Sequence, residues 1–341
     1  MRAVALGRSP LRALPPQVPA VGPPSATPTQ VAAKAAVLRR LELDVTRRLD
    51  GMLTGDFRTI LPGPGSETAG SRPYGPGDDA RRIDWSLTAR SLDAHVRTTD
   101  ADRELDTSVI VDRSPSLDFG TALREKREVA LGALAAFGFL TVRGGNRLGV
   151  TIAGGESLVQ FPLRAGRRAL LGAMSTVYDT RRWERSPGAG ADLAAGLARV
   201  ERTQRRRGQI VVISDFLDKA DWQRPLRRLA QRHGVIAVQV TDPREFDLPA
   251  VGLLSVIDAE TGRRLHVQTD SPDLRERYRV ASRQRQEETR ETIGKAGADH
   301  LVLSTDRDWV LDIARHLGRR RVRGFPGLDP LAISHDNGGL G

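Results

Sequence analysis

Hydrophobic positions divide this chain into a leader, a helix, a glycine- and proline-rich stretch and a long alternation of strands and helices. Val37, Leu38, Leu41, Val45 and Leu49 recur at helical spacing and predict a helix over 33–53. Residues 1–32 hold seven of the twenty prolines, a composition that buries too little surface to offset its ordering entropy, so a disordered leader is expected. Residues 54–80 are rich in Gly and Pro and read as an irregular, exposed loop. From Leu105 the pattern changes. Thr107–Val111 is a short β-rich run, followed by a polar turn and a long apolar helix from about Thr121. Within that helix, Val129–Val142 is fourteen residues of apolar side chains, Gly and Thr, so every face must avoid water.

Leu148–Ile152 and Leu158–Phe161 flank Gly154-Gly155 and read as a hairpin. Helical patterns follow at about 166–178 and 191–204. Ile210–Ile213 reads as a strand, 219–232 as a helix and Val235–Val240 as another strand. A second hairpin, Leu253–Ile257 with Arg264–Gln268, interrupts the series. A polar helix over 273–296, a strand at Leu301–Leu303 and a helix over 307–317 complete it. Continuous Val/Ile strands alternating with helices predict an α/β fold: a doubly wound, mostly parallel sheet with helices on both faces. To this are added an irregular N-terminal segment and a β-hairpin insertion. The expected organisation is a leader at 1–32, an N-terminal helix and Arg/Asp-rich segment at 33–104, an α/β domain at 105–318 and a flexible tail at 319–341.

Composition narrows the chemistry. The 341 residues contain no cysteine, which removes disulfides, zinc fingers, iron–sulfur sites and thiol catalysis. The formal net charge is +11, and only four of the 53 basic residues are lysines. The runs Arg205–Arg207 and Arg319–Arg321 lack interleaved aromatics, so nucleic-acid binding ranks behind an arginine-rich compositional bias. No segment reaches the 18 apolar residues of a membrane span, and a cytoplasmic location is expected. None of the four lysines is followed by Ser or Thr, so there is no P-loop. No His-Glu-x-x-His and no Gly-x-Ser-x-Gly occurs, and the six histidines form no ligand pair.

Two constellations remain. Asp112-Arg113-Ser114-Pro115-Ser116 follows the first buried strand, and Ser214-Asp215 ends a later one. Ligands of open α/β sheets sit beyond the carboxyl ends of the strands. There one carboxylate and two hydroxyls on alternate loop residues can converge on a hard cation such as magnesium, with Asp215 facing the same spot if the strands are neighbours. The competing reading is a turn whose side chains cap backbone amides. The second constellation runs from Arg72-Pro73-Tyr74 through Gly77-Asp78-Asp79 and Arg82-Ile83-Asp84-Trp85 to Ala89-Arg90. Pro76-Gly77 suits a type II turn, Asp and Arg can pair, and Trp85 can anchor the segment against the domain. It either pins a loop onto the sheet or docks a partner.

Asp112, Ser114, Ser116 and Asp215 resemble the metal-ion-dependent adhesion site of von Willebrand factor type A domains. That family places a threonine in an intermediate loop. Here the matching string is Gly190-Ala191-Asp192-Leu193, so Ala191 removes an oxygen ligand, Asp192 or Thr180 are the available substitutes, and magnesium is expected to bind weakly or not at all. The string from Arg72 to Trp85 is similar to the signature of the domain of unknown function 58 family, whose members continue into a von Willebrand type A-like domain. The resemblance implies a non-enzymatic adaptor or chaperone-like module that partners a MoxR-type AAA+ ATPase. In that reading Tyr74, Gly77, Asp78, Asp79, Arg82, Asp84, Trp85 and Arg90 form a rim around the site. The alternatives are an arginine-rich nucleic-acid-associated protein and a divalent-metal hydrolase using Asp112 and Asp215.

Overall fold

The computed structural model describes residues 28–52, 68–75, 83–91, 93–99, 106–154, 158–179, 193–218, 221–257 and 264–323. Its centre is a six-stranded sheet of β3 (Asp106–Asp112), β4 (Arg147–Ala153), β5 (Val159–Arg164), β6 (Gly208–Ser214), β7 (Gly234–Thr241) and β10 (Asp299–Ser304). The order is β10-β7-β6-β3-β4-β5, parallel throughout except for the antiparallel edge strand β5. Counted within this sheet, the strands run 3-2-1-4-5-6, the doubly wound order. Side chains alternate across each strand. Val109, Val111, Val211 and Ile213 enter one apolar layer, while Ile110, Ile210 and Val212 enter the other.

The first layer is built on α3 (Lys126–Arg143), which packs against β3, β4, β6, β7 and β10 on one side. On its other sides lie α1 (Pro28–Met52), α4 (Arg167–Asp179) and α8 (Trp309–Arg323). This explains why its apolar run has no polar stripe: almost the whole surface of α3 is covered. The second layer is formed by α5 (Leu193–Thr203), α6 (Gln223–Arg232) and α7 (Pro272–Lys295), through Leu197, Leu226, Leu229 and Ile293. At the amino end of the sheet, the Arg147 guanidinium donates to both Asp106 carboxylate oxygens at 2.8 Å. There β6 passes so close to β3 that a Cβ on Gly208 would lie 2.1 Å from the Asp106 carbonyl oxygen.

Several expectations need correction. The N-terminal helix begins at Pro28, so the last five residues of the expected leader are helical backbone; residues 1–27 lie outside the described residues. Nor is α1 an appendage, because Leu38, Val45 and Leu49 are buried in the first layer. Lys34–Asp179, Arg48–Asp308 and Arg167–Glu42 ion pairs tie it down. Within the stretch read as an irregular loop, β1 (Thr68–Pro73) pairs antiparallel with β2 (His95–Thr99). Gly70 and Pro73 mask this ribbon in the sequence. The apolar helix starts at Lys126 rather than Thr121, because Asp242 captures the Thr121 N–H and hydroxyl and a Glu125–Glu128 capping box sets the first turn. Helix α8 continues through Arg319–Arg321 to Arg323, five residues into the expected tail. The second hairpin, β8 (Leu253–Ile257) with β9 (Arg264–Gln268), falls where periodicity puts it.

Ala135 is fully buried at the middle of α3. Ala135→Asp is expected to destabilise the fold by about 3–5 kcal/mol, the cost of an unpaired buried charge. Urea titration measures it, and a midpoint within error of wild type would mean that α3 is not the core.

Candidate functional site

In this strand order the chain leaves β3 toward β4 on one side and later returns as β6 on the other. The crevice between the carboxyl ends of β3 and β6 is the topological switch point, where open α/β sheets bind ligands. Register aligns Val111 with Ile213, so Asp112 and Ser214 come next to each other. The Ser214 hydroxyl donates to one Asp112 oxygen at 2.5 Å, and the Ser114 N–H donates to the other at 2.7 Å. The Ser114 and Ser116 hydroxyls are hydrogen-bonded at 2.8 Å. Asp112, Ser114, Ser214 and Asp215 are buried, and Ser116 is half-buried.

Asp215 sits at a tight turn. Its Oδ1 accepts the Leu217 N–H at 3.1 Å, and the Ser214 hydroxyl accepts the Phe216 N–H at 2.9 Å. Phe216 itself has φ 59°, the left-handed region that costs a bulky L-residue about 1–2 kcal/mol. An edge-on contact with Trp222, ring centroids 5.1 Å apart, holds its ring in the second layer. Burial, followed by the charge of Asp215, pushes the Asp112 carboxyl from 3.8 up to about 7, against the hydrogen bonds from Ser214 and Ser114.

The partner of Asp215 is a residue that the sequence reading passed over. Lys126, 1% exposed, places its ammonium 2.8 Å from Asp215 Oδ2 and 2.5 Å from Glu245 Oε1. Burial alone would favour the neutral amine, but Asp215 and Glu245 outweigh it and hold the Lys126 pKa above its ordinary value. Glu245 also accepts the Asp242 N–H at 3.0 Å. Asp242 in turn accepts from the Thr305 hydroxyl at 2.7 Å, the Thr121 N–H at 2.9 Å and the Arg244 N–H at 2.9 Å. One polar network therefore joins the ends of β6, β7 and β10 to the start of α3. A signal for Lys126 existed: it lies three, four and seven residues before Val129, Ala130 and Ala133, on the buried face of the same helix.

The signature segment is arranged otherwise than expected. Asp84 caps the short helix α2 (Trp85–Thr88), accepting the Ser86 and Leu87 N–H groups at 3.1 and 3.2 Å. Arg90 Nε donates to the Ser86 carbonyl at 3.0 Å. The Tyr74 N–H bonds the Ala94 carbonyl and the Asp84 N–H bonds that of His95. Trp85 does not anchor the segment: it is 69% exposed, and Tyr74 is exposed as well. Gly77, Asp78, Asp79 and Arg82 lie outside the described residues, as do Thr180, Ala191 and Asp192.

The donors can be tested against magnesium. Asp112, Ser114 and Ser116 supply three hard oxygens, the right chemistry for that ion. At Asp215 the match fails. Its carboxylate is already paired with a buried ammonium, and a divalent ion beside that ammonium would meet like charge in a poorly screened interior. With that carboxylate so engaged, the described residues do not fit a magnesium site of the adhesion type. The edge does present exposed apolar side chains among its polar ones. Leu123, 75% exposed, stands with exposed Phe119 and Leu217 on the loops that carry the network. The Lys126 N–H donates to the Phe119 carbonyl, and the Leu217 N–H to Asp215.

The raised Asp112 pKa sets a pH dependence. Between about pH 4 and 7 the native carboxyl keeps a proton that the unfolded chain releases, so the stability that this group contributes falls as pH rises through the window. His233 and His300, whose pKa values burial lowers to about 4, pull the other way, so the test is the difference: the urea midpoint of wild type minus that of Asp112→Asn is expected to fall from pH 4 to 8. Parallel profiles would place the titrating group elsewhere.

The family described as "Protein of unknown function DUF58" matches residues 70–288. The uncharacterized proteins Rv1480 of Mycobacterium tuberculosis and Mb1516 of Mycobacterium bovis are each 47% identical to this chain over 287 residues, covering 84% of it and 90% of theirs. Among solved structures, the chain is similar to BatB from Bacteroides thetaiotaomicron, with 14% identity and a TM-score of 0.42, over 64% of this chain and 100% of that one. It is also similar to a von Willebrand factor type A protein from Catenulispora acidiphila, with 14% identity and a TM-score of 0.39, over 65% of this chain and 43% of that one. On the family match and on 47% identity across most of both lengths, this chain belongs to the DUF58 family.

Proposed function

We propose that this chain is a non-enzymatic protein-binding module whose docking face is the carboxyl edge of its sheet, built over a degenerate adhesion site. The observation that carries this reading is the pairing of exposed Phe119, Leu123 and Leu217 with a buried polar network beneath them. Apolar anchors on loops that are already ordered lose little conformational freedom on binding, which is how a small patch gains affinity. The ionisable groups of the crevice are turned toward one another below the surface, which suits a scaffold better than general acid–base chemistry. Asp112, Ser114, Ser116 and Asp215 then act by shaping the loops, with magnesium weak or absent.

The resemblance of the 72–90 segment points to a MoxR-type AAA+ ATPase as partner, with exposed Tyr74 and Trp85 as a second contact. A net charge of +11 favours a partner surface that carries acidic groups and speeds the encounter at low salt.

Leu123→Asp and Leu217→Asp are each expected to weaken binding to a purified MoxR-type ATPase at least tenfold, or about 1.4 kcal/mol. Both side chains are exposed, so the thermal midpoint is expected to stay within about 1 °C of wild type. Isothermal titration and a thermal melt read the two effects. Affinity unchanged in both variants sinks this docking face. Binding to duplex DNA that collapses with salt, in place of ATPase binding, would favour the nucleic-acid reading.

A further inference from the structure

We infer that Lys126 is the resident cation of the switch-point site: tethered to α3, its ammonium holds Asp215 and Glu245 together as a divalent ion would, so the docking face keeps its shape without metal. The inference deepens the proposed function and rests on the same edge of the sheet. Three observations carry it.

The first is position. A single nitrogen lies 2.8 and 2.5 Å from carboxylate oxygens supplied by two different strand ends, β6 and β7. Bridging oxygens from separate loops is what a bound cation does at such a site. The second is burial. Lys126 is 1% exposed and Asp215 2% exposed, so neither charge is satisfied by solvent. A buried carboxylate without a counter-charge is strongly disfavoured, and with Asp112 close by, the vacated ammonium position would face a crowd of carboxyl groups. The third is connection. Through Glu245 the ammonium is linked to Asp242, which fastens Thr121 and Thr305. The same residue reaches Phe119 through its backbone N–H and Leu217 through Asp215. A cation at this point therefore sets the loops that display the apolar anchors.

An ordinary buried ion pair would share the burial but would not leave a cation position behind when the lysine is shortened. Lys126→Ala removes the ammonium and opens the space of its stem, leaving Asp215 and Glu245 facing one vacated point. Lys126→Met removes the charge but keeps that space filled.

Thermal melts and terbium luminescence of the full chain test this, with magnesium, calcium, manganese or EDTA added. Wild type is expected to melt within about 1 °C in all four conditions. Lys126→Ala is expected to melt lower in EDTA and to regain at least about 3 °C with at least one of the ions at tenfold excess over its dissociation constant. That gain should vanish in Lys126→Ala/Glu245→Gln, and Lys126→Met should gain nothing. A wild-type melt raised by magnesium and lowered again by Asp112→Ala would overturn the inference, because the native cation would then be a metal. Lys126→Ala that ignores all three ions, or that refolds with none of them, would overturn it too. Partner binding is not read in these measurements, so they stand apart from the fate of the proposed docking face.

Discussion

An ammonium group taken out of water must be met by charge of the opposite sign, and that requirement organises the carboxyl end of this sheet. Lys126 meets it with Asp215 and Glu245, from the ends of β6 and β7. Each of those carboxylates then needs further donors, which the Leu217 and Asp242 amides provide. Asp242 in turn draws in Thr121 and Thr305. Removing one member leaves the others buried and unpaired, so the loops are fixed as a set. The geometry of the edge follows from one lysine at the first turn of α3.

That lysine is placed by the helix it begins. Helix α3 lies against five strands on one side and three helices on the others, and its apolar length anchors it without a polar face. A rigid central helix fixes the base of the Lys126 stem and thereby aims the ammonium. Helix α1 completes the cover through Leu38, Val45 and Leu49, each contributing about 2 kcal/mol by burial. The N-terminal helix is thus part of the domain that carries the site. Packing in the first layer and electrostatics at its edge are one construction.

The site differs in kind from the adhesion site it resembles. In the Asp-x-Ser-x-Ser loop Asp112 accepts the Ser114 amide, as in the capping-turn reading, and the Ser114 and Ser116 hydroxyls bond each other. The acidic residue that would complete a metal shell is instead an ion-pair partner. Phe216, in the left-handed region just after Asp215, shows the strain tolerated at this turn. The exposed residues Phe119, Leu123 and Leu217 lie on the loops above the buried ion pairs, among exposed polar residues such as Thr121 and Arg244.

Much of the architecture was legible in the sequence because periodicity reports burial. Val129–Val142 had to be covered on all sides, and Val/Ile runs between helices had to be parallel strands. Asp112 and Asp215 were placed at strand ends by the same pattern. The β1–β2 ribbon stayed hidden, since Thr68–Pro73 pairs through backbone with a composition that does not alternate. The exposure of Trp85 stayed hidden too, because an aromatic residue can anchor a segment or face solvent, and only its neighbours decide. The role of Lys126 lay furthest from view. Its partners are 89 and 119 residues away in the chain, and one cationic residue before an apolar run reads as a solvated flank. Sequence determines which residues must leave water. Tertiary structure alone decides which charges meet once they have left, because that depends on strand order and register, which join residues far apart in the chain.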